Sequence, residues 1–173
     1  VASDGGFLER PVPMTSIVLS AGERAEVILD LSTLDPPEST LVVDQWGGNQ
    51  FAAMTIQKVQ TLGNNANLPD QIKQIERIPE SEATRTRTFV METMGMGMMM
   101  GGRLTINGKK MDMSRIDARV ELGSTEIWEI ENRSAMMMNM PHSMHLHDVQ
   151  FQILDRNGKP AAGHELGRKD TVL

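Results

Sequence analysis

The sequence predicts an all-β fold, a sandwich or Greek-key barrel. Short alternating runs recur at intervals of about ten residues, clusters of Gly, Pro, Asp and Asn separate them, and two Asn-Gly pairs mark tight hairpins. In order, the runs Ser16 to Leu19, Ala25 to Leu31, Thr40 to Val43 and Ala53 to Gln60 read as strands, with Val27, Leu29 and Leu31 on one parity. The stretch from Gly63 to Asp70 breaks the pattern. Gln71 to Glu82 is polar, with Ile72, Ile75 and Ile78 spaced by three, which fits a short helix or a linker held against the surface. Strands resume at Thr86 to Glu92 and Arg103 to Ile106. Asn107-Gly108 then supplies the positive φ angles that a type I′ turn needs. Ala118 to Leu122, Glu126 to Glu131 and Val149 to Leu154 complete the series, with Asn157-Gly158 as a second turn.

Composition narrows the function. The 173 residues suffice for one sizeable domain, two small ones or two incomplete halves. The chain begins at Val1 without an initiator Met or an apolar leader and stops at Thr171-Val172-Leu173, which reads as a strand being entered, so an internal piece of a longer protein is expected. No apolar run reaches the roughly 18 residues of a membrane helix. A net charge of -6 without a basic cluster beside aromatics argues against a nucleic-acid surface and leaves cations or small molecules as the expected partners. Cysteine is absent, which excludes disulfides, thiolate zinc sites and a nucleophilic thiol.

Three of the four histidines fall in His142-Ser143-Met144-His145-Leu146-His147, directly ahead of Val149-Gln150-Phe151-Gln152-Ile153. Imidazole is the commonest protein ligand for copper and zinc. In an extended strand His145 and His147 share a side with Val149, Phe151 and Ile153, while His142 points the other way, so the pair is expected to look inward. Buried imidazoles need partners for both nitrogens: a bound metal is one, and hydrogen bonds between core histidines are the alternative.

The string PHSMHLHDVQFQILDRNGKP, continued by GHELGRKDTV, resembles the first copper-ligand segment of the last cupredoxin domain of multicopper oxidases, the laccase-like enzymes. VASDGGFLERPV with AGERAEVILDLS resembles the end of their middle cupredoxin domain, INGKKMDM an early hairpin of the last domain, and LGSTEIWEIENRS the strand before the ligands. Ser143 stands where proline is usual and Arg168 where tryptophan is frequent. The resemblance implies cupredoxin-like folding in two incomplete domains, 1–62 and 85–173, joined by a linker over 63–84. It implies that His142 ligates a mononuclear blue copper, His145 a type 2 copper and His147 a type 3 copper. The implied activity is oxidation of a small reducing substrate, phenolic or cuprous ion, coupled to reduction of dioxygen to water. The missing Cys means that these residues cannot complete a blue site, whose other ligands would come from remaining segments of the same polypeptide; the chain alone is expected to be inactive. The resemblance favours an extracytoplasmic location, and an inactive cupredoxin-like scaffold is the alternative.

Methionine is the second unusual feature, with 15 in all. Met91, Met94, Met96, Met98, Met99 and Met100 form a Gly-interleaved tract; Met136, Met137, Met138, Met140 and Met144 form another ahead of the histidines. Thioether sulfur is soft and prefers Cu(I). Met94, Met96, Met98, Met99 and Met100 are therefore candidate Cu(I) ligands, against a reading as a flexible loop. The second tract reads as adaptable apolar lining. His164 reads as a surface residue, and Trp46 and Trp128 as core or substrate-facing residues.

Overall fold

The Asn-Gly pairs fold as their chemistry requires. In the computed structural model, which describes residues 1–33, 38–45, 47–58, 67–94, 103–134 and 141–173, Asn107 and Gly108 have φ of 51° and 72°, and Asn157 and Gly158 have 53° and 74°. Both pairs close two-residue turns: Ile106 and Lys109 exchange hydrogen bonds of 3.0 Å, and β10 (Asp155–Arg156) pairs antiparallel with β11 (Lys159–Pro160). Asn107 also anchors its neighbour strand, its N–H donating to the Val90 carbonyl and its side chain bonding Val90 N–H and the Thr88 carbonyl.

That neighbour, β6 (Ala83–Met94), is the longest strand. It runs antiparallel to β7 (Arg103–Ile106) and parallel to β8 (Thr125–Ser134), in the order β7-β6-β8. Arg87 grips Glu126 across the parallel pair with two bonds of 2.5 and 2.9 Å. Trp128 donates to the same carboxylate and lies 4.5 Å from Phe89, centroid to centroid. Trp128 thus belongs to the sheet's half-buried face. Earlier in the chain, β4 (Glu38–Gln45) and β5 (Asn49–Gln57) form an antiparallel hairpin with a bulge at Leu41/Val42, turning through Gly47 and Gly48 at φ of 99° and 87°. β1 (Ala2–Ser3), β2 (Gly6–Phe7) and β3 (Ala25–Glu26) form a small sheet ordered β2-β1-β3.

Several expected strands are shorter or missing. Ser16 to Leu19 and Ala118 to Leu122 form none, and Ala25 to Leu31 pairs only at Ala25–Glu26. The physical reason is the lack of a partner: Val18, Val27, Ile28, Leu29 and Leu122 are all more than half exposed, so no second strand covers them. Residues 71–79 form no helix. They run as an extended strap in which Ile75 is buried, Ile72 and Ile75 N–H groups donate to Glu9, and Ile78 N–H donates to the Gln152 side chain. Gln152 and Arg168 donate back to the Glu76 carbonyl.

The strap therefore ties residues near Glu9 to residues around 152 and 168, and direct contacts reinforce it. Ser3 Oγ and Gly5 N–H both donate to the Arg168 carbonyl at 2.8 Å. This junction is the best-packed part: among the described residues the buried apolar side chains are Ala2, Leu8 and Ile75, and the buried polar ones include Ser3, Lys169 and Thr171. Elsewhere Val27, Ile28, Leu41, Phe51 and Leu104 are about half exposed or more. The accessible surface is 13514 Å², where a compact 19.2 kDa monomer exposes about 8,400 Å².

Candidate metal centre

Met144 and His145 form β9, paired antiparallel with β12 (Thr171–Val172), so that His145 faces Thr171 and Met144 faces Val172. Leu146 N–H continues the ladder to the Asp170 carbonyl at 2.9 Å. The strand then ends, because Asp148 adopts a left-handed φ of 61°. This corrects the expectation that His145 and His147 run on in one extended strand with Val149, Phe151 and Ile153; the expected strand Val149 to Leu154 is reduced to an isolated bridge at Phe151. Val149 is 54% exposed, and Phe151 instead exchanges two backbone hydrogen bonds with Lys169 at 2.7 and 2.9 Å.

His145 and His147 do come together, with ring centroids 4.8 Å apart and planes tilted by 56°. They do not look inward: both are exposed, on an open groove lined also by Leu146, Asp148, Val149, Gln150 and Asp170. His142 is half-buried and does not converge with the pair: among the described residues no group of three His, Cys, Asp or Glu side chains closes into a metal site. His164 lies in a short 3-10 turn, Gly163–Leu166. Trp46, Met96, Met98, Met99, Met100, Met136, Met137, Met138 and Met140 lie outside the described residues, and Met94 is described only as the last residue of β6.

The hydrogen bonds around His145 fix its protonation pattern. Its Nδ1 lies 3.0 Å from the Asp170 carbonyl oxygen and 2.9 Å from Thr171 Oγ1. The Thr171 hydroxyl proton is already donated to Asp170 Oδ1 at 2.8 Å, so Oγ1 can only accept, as can the carbonyl. In the neutral ring Nδ1 must therefore carry the proton, which leaves the lone pair on Nε2. A nitrogen presented in this way suits a transition metal, and a second imidazole stands beside it, so the donor chemistry fits copper. The pair alone leaves the coordination shell unfinished.

Sequence reasoning did not identify what holds Asp170. Arg24 donates to both its oxygens, at 3.0 and 2.5 Å, and pushes the carboxyl down to about 2, with help from the Thr171 hydroxyl and against a smaller effect of burial. Beside it Lys169 is sealed in the junction, its Nζ 3.1 Å from Asp4 Oδ2 and 3.0 Å from Glu23 Oε1. Burial alone would raise the Glu23 carboxyl, but the Ser20 N–H and Lys169 outweigh it and hold it low. Arg24 carried no local signal, since its partner lies 146 positions along the chain.

The chain is similar to known proteins over nearly its whole length. The chain is 30% identical over 172 residues to the multicopper oxidase mco of Staphylococcus haemolyticus, a match that covers 99% of this chain and 33% of that protein. It is 31% identical over 185 residues to the cell division protein FtsP of Pectobacterium atrosepticum, covering 99% of the chain and 36% of that protein. It thus spans about a third of the length of these relatives. Among solved structures, the laccase-like multicopper oxidase CueO of Ochrobactrum sp. superposes with a TM-score of 0.81 at 32% identity, over 99% of this chain and 40% of that one. A variant of McoA from Aquifex aeolicus superposes at 0.75 with 23% identity and supports the fold alone. These superpositions make the all-β fold cupredoxin-like. With a multicopper oxidase family model matching residues 77–173, more than half of the sequence, the chain belongs to the multicopper oxidases.

Proposed function

We propose that this chain supplies one ligand segment of a copper-dependent oxidase, with His142 serving a mononuclear blue copper, His145 a type 2 copper and His147 a type 3 copper. The observation that carries the reading is the adjacent His145 and His147 rings, the first with Nδ1 committed to Asp170 and Thr171 and Nε2 left to a metal. When bound, copper would supply one-electron oxidation of a small reducing substrate and reduction of dioxygen to water. The chain's own part is to hold imidazoles for separate coppers on one short segment, which sets their separation.

The division into 1–62, a linker over 63–84, and 85–173 belongs to the same reading, as parts of a middle and a last cupredoxin domain. The uncovered apolar faces and the unfinished ligand set are supported as surfaces completed by further segments of the same polypeptide. The chain by itself is then inactive. The substrate class is phenolic compounds or cuprous ion, the latter resting on Met94, Met96, Met98, Met99 and Met100. An extracytoplasmic location goes with the family resemblance; no helix among the described residues is long and apolar enough to cross a membrane.

Substitution of each histidine in the full-length protein tests the ligand assignment. His142→Ala should remove the blue absorbance while leaving most cluster copper; His145→Ala or His147→Ala should deplete the cluster. Unchanged copper content and dioxygen uptake in all three would refute it. A second reading, a cupredoxin-like scaffold without oxidase activity, is favoured by the match to FtsP, a cell division protein by name, over 99% of this chain. Retention of all three histidines weighs against it. Full-length protein that purifies without copper and cannot be loaded would establish the scaffold.

A further inference from the structure

The groove histidines are held from a distant part of the chain. Arg24, just before β3, grips both oxygens of Asp170. Asp170 Oδ1 in turn accepts the Thr171 hydroxyl proton, which leaves Thr171 Oγ1 as an acceptor for His145 Nδ1–H. Each link has one permitted direction. A guanidinium only donates, an ionised carboxylate only accepts, and a hydroxyl has a single proton to give. The Asp170 carbonyl uses its two lone pairs on Leu146 N–H and His145 Nδ1–H.

Without Arg24, Asp170 has no cation gripping both its oxygens, and its carboxylate is released to rotate. If it turns away from the Thr171 hydroxyl, that proton is free to point at His145 and competes with the Asp170 carbonyl, which still accepts from Nδ1–H, so the two tautomers mix. Arg24 is anchored on its own side as well: its N–H donates to Asp4 Oδ1 at 2.6 Å and its guanidinium to the Gly22 carbonyl at 3.0 Å. Asp4 is the carboxylate sealed against Lys169. The relay thus starts beside the buried Asp4 and Lys169 pair and ends at an exposed imidazole.

We infer that Arg24 is a positioning residue for His145: acting through Asp170 and Thr171, it fixes the imidazole as the Nδ1–H tautomer and aims Nε2 at the metal position. The inference rests on the proposal that His145 is a copper ligand, and extends it to a residue that never touches the metal.

The test uses full-length protein carrying 15N-labelled histidine, first copper-free and then titrated with copper. In the copper-free wild type, the His145 nitrogens should show well-separated shifts, with the proton on Nδ1. In Arg24→Gln the two resonances should move toward one another as the tautomers mix, and copper affinity at the cluster should fall about 10- to 100-fold. In the double variant Arg24→Gln with Thr171→Val, where no hydroxyl proton competes for Nδ1, the wild-type separation should return. The blue absorbance, which depends on His142, should persist. Arg24→Lys should restore part of both effects, because it keeps a cation but loses the two-point grip. Arg115→Gln, which breaks ion pairs with Asp112 and Asp117 between β7 and β8, should leave both readouts unchanged. A wild-type tautomer with wild-type affinity in Arg24→Gln would overturn the relay. Should that variant fail to fold, the same result in Asp170→Ala, which keeps the backbone carbonyl but removes the carboxylate that takes the Thr171 proton, overturns it equally. Unchanged copper content in His145→Ala would instead overturn the ligand assignment, and with it the metal half of the inference.

Discussion

Asp4 and Lys169 form an ion pair sealed from solvent, Oδ2 and Nζ 3.1 Å apart with 0% and 1% of their side chains exposed. Glu23 completes the cluster from the other side at 3.0 Å. The three charges join the first strand and the turn before Arg24 to the segment that leads into β12. Removing the cation leaves two buried carboxylates with backbone N–H groups but no ammonium to offset their charge.

Lys169→Met should accordingly destabilise the protein by about 3 to 5 kcal/mol, the range for breaking one side of a buried pair. Urea unfolding followed by circular dichroism measures it. A midpoint within error of wild type would show that the cluster contributes no stability.

Gly5→Ala tests the same junction by crowding instead of charge. A Cβ at Gly5 would fall on the Arg168 carbonyl oxygen and 2.5 Å from the Arg168 Cβ, while the Gly5 N–H already bonds that carbonyl. Backbone cannot give way as a flexible side chain can, so a loss of about 1 to 3 kcal/mol is expected. Amide exchange should speed up at Gly5 and Thr171 together. Faster exchange confined to Gly5 would mean that the two segments are not coupled there.

These contacts also show what the sequence could and could not reveal. The turns at Asn107-Gly108 and Asn157-Gly158 were legible because a type I′ turn is decided by the two residues that adopt it. The His145 and His147 pairing was legible because alternate residues of an extended segment share a side. Asp148 was not: aspartate tolerates a left-handed φ without announcing it, and that one residue ends the strand before Val149, which stays exposed. Ile72, Ile75 and Ile78 look helical by spacing, but only Ile75 among them is buried, and hydrogen bonds to Glu9 and Gln152 hold the segment extended. Arg24 and Asp170 meet only after the chain has folded, and nothing local to either residue marks the other.

Glu126 gives the parallel pair of β6 and β8 a defined pH dependence. Arg87, and then Trp128, hydrogen-bond its carboxylate and outweigh burial, lowering it from 4.5 to about 2. A carboxyl whose folded value is depressed contributes stability that is fully present above its unfolded value and is lost as pH falls through the folded one. The stability difference between wild type and Glu126→Gln should thus be constant above about pH 5 and shrink steadily toward about pH 2. Thermal unfolding of both proteins across that range measures it. A difference that does not change with pH would mean that the Arg87 and Glu126 pair is not what stabilises the strands.

The methionine tract separates the two proposed substrate classes. In the chain it falls between β6 and β7, with Met94 closing β6. Replacing Met94, Met96, Met98, Met99 and Met100 by leucine keeps apolar bulk and deletes the soft thioether donors, so packing and ligation come apart. In the full-length protein, oxidation of cuprous ion should fall by about tenfold or more, the loss expected when metal ligands are removed. Oxidation of a bulky organic dye should hold or rise, since it needs no sulfur ligand. A matched fall in both activities with a lowered melting temperature would trace the effect to folding. Unchanged cuprous oxidation at an unchanged melting temperature would remove the tract from the copper chemistry and leave phenolic compounds as the substrate class.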